Sequence, residues 1–289
     1  LRKEWIEMCK SRGLKRFTFA SSILNTQQMK LSDQTILITG GTSGFGRLFA
    51  ERLLAMGNTV LITGRDQSKL DLTRQQLPGI HTFQSDVSDP AAITDLYARV
   101  TQQFPQLNIL INNAGEMRKL LVQENYELQD VTREIEINLM GPVRMVQQFL
   151  PHLLKQPTAA ILNVSSGIAL IPFPISPIYG ASKAGVRSYT QSLRVQLQHT
   201  QVRIFELVAP AANTPLGDTF MQVDGFDPKL MMDANKVIDV AIKALQKDKY
   251  EILPGMAKML KLMSRLAPRL LFGQLRKVGA KEMRDGRFL

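Results

Sequence analysis

The chain has 289 residues, enough for one α/β domain with a full core, and its 44% hydrophobic and 21% charged content excludes a low-complexity or disordered polymer. No apolar run approaches the ~20 residues that span a bilayer, and the single cysteine, Cys9, excludes an intramolecular disulfide and suits a reducing cytoplasm, the expected location. The net charge of +11 gathers at the ends, with +5 in residues 1–30, +7 in 255–289 and −1 between them, which excludes a nucleic-acid surface spread over the domain.

Residues 1–28 mix Arg and Lys with Ser and Thr and show no sustained period. They lack the apolar core of a secretory signal. Met29 is expected to be the natural start, with the upstream segment a gene-boundary artefact; a disordered basic arm is the second reading. The catalytic domain is expected over 29–254 and a basic amphipathic tail over 255–289.

Beyond Gln34, short apolar runs at 35–39, 59–63, 107–112, 159–164, 202–208 and 250–253 are rich in β-branched residues, with a weaker one at 80–84. Runs apolar at successive positions suit strands buried on both faces of a parallel sheet. Amphipathic stretches near 45–57, 67–77, 90–104, 126–152, 177–199 and 234–247 separate them. This alternation predicts an α/β doubly wound Rossmann fold, an approximately seven-stranded parallel sheet with helices on both faces.

The first strand runs into Thr39-Gly40-Gly41-Thr42-Ser43-Gly44-Phe45-Gly46. Glycines in a strand-to-helix turn let backbone approach a pyrophosphate, and the helix beyond offers unpaired N–H groups and its positive dipole end. Gly40, Thr42, Ser43, Gly44, Phe45 and Gly46 are therefore candidate cofactor contacts. The second strand ends at Gly64-Arg65-Asp66 rather than at the acidic residue that takes the ribose 2′-OH of NAD. A guanidinium there suits a 2′-phosphate, so NADP(H) is expected in preference to NAD(H). Arg65 as a solvated surface charge is the competing reading, and Asp66 suits a cap on the next helix.

Tyr179-Gly180-Ala181-Ser182-Lys183 places a phenol and an ammonium four residues apart on one helix face. A free phenol titrates at about pH 10. A neighbouring cation favours the phenolate, and acid/base catalysis needs that lowering. Tyr179 is accordingly the candidate proton donor and acceptor.

Together the glycine spacing and the Tyr-Lys pair resemble the short-chain dehydrogenase/reductase family over roughly residues 33–253. Within it the chain looks most like the DltE-like bacterial oxidoreductases, which share T-G-G-T-S-G and the T-G-R strand end. The resemblance adds Ser166, 13 residues before Tyr179, as the catalytic serine that orients the substrate oxygen. It adds Asn138 as the residue that holds a water near the lysine, and gives Lys183 the nicotinamide ribose as a second task. Asp86, followed by Val87, is placed at the adenine. Asn113, Ala114 and Gly115, in Asn112-Asn113-Ala114-Gly115, pass close to the cofactor while the Asn side chains tie strands together. Thr214 is placed at the nicotinamide carboxamide. The implied activity is interconversion of a small-molecule carbonyl and alcohol by hydride transfer, without a metal. The alternative is an NADP(H)-binding sensor or scaffold without turnover. Family members often form homo-oligomers through the helices near 126–152 and 177–199, and the same is expected here.

Two departures stand out. Ala209-Pro210 replaces the usual Pro-Gly, which leaves the path of that loop open. Glu116-Met117-Arg118 replaces an apolar residue after Gly115, with Arg118 either facing an anionic substrate or, by the usual distribution of arginines, a solvated loop charge. Residues 215–232 are the expected flap, with Phe220, Met221, Val223, Phe226, Leu230, Met231 and Met232 either repacking around a bulky apolar substrate or simply packing the lid. His81, His152 and His199 show no metal-ligand spacing. The tail has Met259, Met263, Leu266 and Leu270 at helical spacing among Lys258, Lys261, Arg265 and Arg269, with Pro268 interrupting. It suits peripheral contact with an anionic membrane, a fold back over the active-site mouth, or a dimer interface.

Overall fold

The computed structural model describes residues 28–286, so the expectations for the first 27 residues lie outside the described chain. Seven strands form one parallel sheet in the order β3-β2-β1-β4-β5-β6-β7: β1 (Thr35–Thr39), β2 (Thr59–Gly64), β3 (His81–Gln84), β4 (Leu107–Asn112), β5 (Ala159–Ser166), β6 (Val202–Ala209) and β7 (Glu251–Ile252). The expected doubly wound fold is the observed one. The strand order runs outward one way from β1 to β3 and the other way from β4 to β7, and this switch between β1 and β4 opens a crevice beyond their carboxyl ends.

The apolar runs are explained by burial on both faces. Within β1, Ile36 and Ile38 enter one core layer and Leu37 the other, and Val60, Ile62 and Leu61 of β2 divide the same way. One layer is closed by α1 (Gly44–Ala55) and, further along the chain, Ala234–Leu245. The opposite layer packs under α3 (Pro90–Gln103) and Gly141–Leu153. Between them in sequence lies α2 (Gln67–Gln76), and Asp66 caps it through the Lys69 amide at 3.2 Å, as its position suggested.

The stretch 126–152 is not one helix. It begins with short turns at Leu128–Val131 and Arg133–Ile135, widens to a π-helical turn at Glu136–Met140, and only then becomes α4 (Gly141–Leu153). Pro142 has no amide hydrogen for the carbonyl of Asn138, so the regular ladder cannot run through this point. The Gly141 amide instead donates to Glu136, five residues back. After β5, the long α5 (Pro177–Gln196) carries the Tyr-Lys pair, and α6 (Ala234–Leu245) follows β6. Beyond β7 the basic tail forms α7 (Ala257–Leu266), α8 (Pro268–Leu275) and α9 (Ala280–Asp285), with Pro268 starting the second rather than ending the pattern.

These last helices are anchored. Lys261 of α7 pairs with Glu251 of β7, and Glu251 accepts from Arg187 at 2.7 Å. Arg187 in turn reaches Glu206, which accepts from Ser165 at 2.6 Å. Farther along, the Gly279 amide donates to the Asp224 carbonyl at 2.8 Å, and the Asp224 amide to the Glu282 carboxylate at 2.9 Å. The tail therefore lies back over the flap.

Candidate active site

A cavity of about 680 Å³ occupies the crevice at the strand carboxyl ends. Its wall includes Gly40, Thr42, Ser43, Gly44 and Phe45 after β1, Arg65 after β2, Asp86 and Val87 after β3, and Asn113, Ala114 and Gly115 after β4. Ser166, Tyr179, Lys183 and Thr214 also line it. Seven separate chain segments supply these residues, and the sheet brings them to one site.

The glycine turn has the form that dinucleotide binding requires. Gly40 and Gly44 have φ of +66° and +52°, a region that penalises any side chain. A Cβ on Gly44 would meet only the Thr214 side chain, at 3.7 Å, so the backbone there stands open. Ser43 caps α1 without a side-chain hydrogen bond, and no acidic residue occupies the first turn. The first amides of α1 are thus available for a pyrophosphate. Gly46 corrects the sequence reading, because it does not line the cavity. A Cβ at Gly46 would lie 2.2 Å from the Gly40 carbonyl oxygen and 2.4 Å from Asn113 Nδ2, so this glycine permits packing of helix against turn.

The Asn pair works mainly as a strap, as its type suggested. Asn113 Nδ2 donates to the carbonyls of Thr39 and Gly40 at 3.0 and 3.1 Å, while Thr39 Oγ1 accepts the amides of Asn113 and Ala114. Asn112 Nδ2 donates to Asn163 Oδ1 at 2.8 Å, tying β4 to β5. Asp86 Oδ1 holds its own turn by accepting from the amide and hydroxyl of Ser88.

Tyr179, Ser166 and Lys183 converge at the other end. Both the Ser166 hydroxyl and the phenol face the cavity, and Ser166 Oγ accepts the Ile168 amide at 3.3 Å. Lys183 Nζ donates to the Val164 carbonyl at 3.0 Å and stands 5.8 Å from the centroid of the Tyr179 ring. A Cβ on Gly115 would come within 3.5 Å of that ammonium, so glycine keeps the lysine accessible. Burial pushes the Tyr179 phenol up to about 12, despite the lowering from Ser166, and pushes Lys183 down to about 8. The expected lowering of the phenol by its lysine is therefore overturned. The ammonium faces the ring and the Val164 carbonyl, and burial, with the Glu134 carboxylate adding to it, keeps the phenol high.

Asn138 lies behind these groups, next to Gly115. It is fully buried and is not part of the cavity wall. Its Oδ1 accepts the Glu116 amide at 2.8 Å, and its Nδ2 donates to the Glu116 carbonyl and to Ser182 Oγ. This amide clamps the segment after Gly115 to α5.

Arg118 is neither solvated nor a wall residue. Its guanidinium donates to Asp130 at 2.8 Å and lies 3.5 Å from the fully buried Glu134, whose carboxylate also accepts the Arg118 amide. Sequence gave no sign of this cluster, since its carboxylates lie 12 and 16 residues away. Glu116 and Met117 are the cavity residues of that segment. Glu116 Oε2 sits 3.8 Å from Arg65, whose side chain is 65% exposed and so free to swing toward a ligand. Lys69, not singled out in the sequence, lines the same end.

The loop after β6 has a defined path. The Met232 amide donates to Ala211 and the Asn213 amide to Met232, while Thr214 Oγ1 caps the next turn. The flap residues divide by role. Phe220, Phe226, Leu230 and Met231 line the cavity, Val223 packs behind them, Met232 joins the main core and Met221 faces outward. Met256, Leu260, Leu275 and Val278, from the tail, add to the apolar wall. Of the tail's alternatives, the fold back over the active-site mouth is present. The histidines take packing roles where contacts exist: His81 against Phe104, and His152 Nε2 at 3.0 Å from the Leu107 carbonyl.

Comparison with known proteins agrees with this geometry. The short chain dehydrogenase family model matches residues 34–223. The uncharacterized oxidoreductase DltE of Bacillus subtilis (strain 168) is 38% identical over 225 residues, 78% of this chain and 89% of its own. The NADP-dependent 3-hydroxy acid dehydrogenase YdfG of Salmonella typhi is 32% identical over 173 residues, 60% of this chain and 70% of its own. A short chain dehydrogenase from Burkholderia cenocepacia J2315, solved in complex with NADP, shares the fold with a TM-score of 0.73 at 24% identity, covering 86% of this chain and 99% of that one. With a matching family model over most of its length and a nucleotide-binding crevice built as described, the chain is an oxidoreductase of the short-chain dehydrogenase family.

Proposed function

We infer that the protein interconverts a carbonyl and an alcohol with NADP(H), using Tyr179 as proton donor and acceptor. One observation carries this reading: Tyr179, Ser166 and Lys183 share one cavity with the open glycine turn at Gly40–Gly44. The nicotinamide supplies the hydride chemistry when bound; the protein supplies placement and electrostatics. Gly40, Gly44 and the first amides of α1 suit the pyrophosphate, Asp86 and Val87 the adenine, Thr214 the carboxamide, and Lys183 the ribose. Arg65 and Lys69 at one end of the cavity support the 2′-phosphate of NADP(H) over NAD(H).

Ser166 holds the substrate oxygen by hydrogen bonding as charge develops on it. Tyr179, protonated at neutral pH because burial raises it to about 12, gives its proton to that oxygen in reduction. Lys183 stays cationic below about pH 8 and stabilises the phenolate left behind. Asn138 acts through Glu116 and Ser182 by fixing the walls. The apolar lining from flap and tail favours a bulky, apolar carbonyl or alcohol. As in other members of the family, assembly into a homo-oligomer is expected through α4 and α5, and sedimentation tests it.

NADPH and NADH oxidation against a panel of aldehydes, ketones and quinones tests the activity and the cofactor together. Tyr179→Phe is expected to abolish turnover while NADPH binding survives. Near-normal turnover in that variant sinks the assignment.

A further inference from the structure

The wall that the tail places over the cavity has an outer side. Met256, just before α7, and Leu260 on it line the cavity and Ala257 is buried, whereas Lys258, Met259, Leu262, Arg265 and Leu266 are exposed. Their spacing of three and four puts the exposed residues on one helix face. The face continues on α8 with Arg269, Leu270 and Phe272. Leu266 is 73% exposed and Leu270 61%, large values for leucines in a chain with a full core. Among the described residues, no carboxylate pairs with Lys258, Arg265, Arg269, Arg276, Lys277 or Lys281. Glu282 and Asp285 are the acidic residues of the described tail.

We propose that this outer face of α7 and α8 docks the protein on an anionic lipid bilayer. Apolar side chains standing among unpaired cations match an interface whose headgroups are negative and whose acyl boundary is apolar. None of the described helices is long and apolar enough to cross a membrane, so the contact is peripheral. Lys261 points the other way, to Glu251 of β7, and fixes α7 with its basic-apolar stripe outward. Docking also has a use for the site. The bilayer side of α7 is the back of the cavity wall, so docking brings the apolar end of the site next to the lipid surface. The docking is independent of the chemistry proposed above and is measured without turnover.

The test is co-sedimentation of the full chain with vesicles of equimolar phosphatidylglycerol and phosphatidylcholine, against vesicles of phosphatidylcholine alone. Binding is expected on the anionic vesicles, with loss as sodium chloride is raised. Removing two surface cations in Arg265→Gln/Arg269→Gln is expected to weaken it about 25-fold, from roughly fivefold per charge. Leu266→Ser/Leu270→Ser is expected to release the protein as well, with thermal melting and NADPH binding unchanged in both variants. Equal binding to both vesicle types overturns the proposal. So does full binding by both variants, which moves the contact to another basic segment. An oligomer that dissociates in the Leu variant, without vesicle binding by the parent, also overturns it and makes the face a contact between copies.

Discussion

Lys183 offers a test of how far this site sacrifices stability for chemistry. The residue is 5% exposed, and Val164 is the partner of its ammonium within the site. Burial lowers its pKa from 10.5 to about 8. At about 1.4 kcal/mol per pH unit, keeping the charged form in the folded chain at neutral pH costs about 3 kcal/mol. Lys183→Met keeps most of the side-chain length and removes the charge. The variant is expected to be more stable than the parent at pH 7 by up to ~3 kcal/mol, while losing turnover. The sign follows from proton linkage. Between the folded pKa of about 8 and the unfolded 10.5, the unfolded chain binds more protons, so the parent gains stability as pH rises through that window. The gap between parent and variant should therefore close toward pH 10. Tyr179 acts in the opposite direction only above pH 10, because its folded pKa is raised to about 12. Urea unfolding of the cofactor-free protein from pH 7 to 10, followed by fluorescence and circular dichroism, measures the effect. A Met variant that unfolds at lower urea than the parent at pH 7, with a gap indifferent to pH, would refute the reasoning.

Other outcomes follow from the same geometry. Arg65→Ala is expected to raise KM for NADPH by about ten- to a hundredfold, the worth of a charge-assisted hydrogen bond or two. KM for NADH should hardly move, and equal losses on both cofactors would remove Arg65 from the 2′-phosphate. Gly46→Ala must displace the Gly40 carbonyl or Asn113, so it should lower the melting temperature and weaken cofactor binding together, read by calorimetry and NADPH fluorescence titration. Carbonyl reduction should hold steady near neutrality and decline above about pH 8 as Lys183 loses its proton, whereas Lys183→Arg should shift that decline upward in any activity it retains.

Much of the architecture was open to reading from sequence, for a physical reason. Strands buried on both faces need apolar side chains at every position, so the runs at 35–39, 107–112 and 202–208 mark themselves, and strand-helix alternation leaves few topologies. The glycine turn, the Gly64-Arg65 strand end and the Tyr179-Lys183 pair are equally local, because each depends on neighbours along one turn or one helix face. What the tertiary structure alone decided depends on residues far apart in the chain. Arg118 became a half-buried partner of Asp130 and Glu134, Gly46 a packing contact, and Asn138 a clamp on Glu116 and Ser182. The Tyr179 phenol, expected to be lowered by its lysine, is instead raised to about 12, because desolvation depends on what packs around it. The basic tail had three readings in sequence. Its fold back over the cavity is fixed by Lys261 on Glu251 and Gly279 on Asp224, contacts between segments that no spacing along the chain relates.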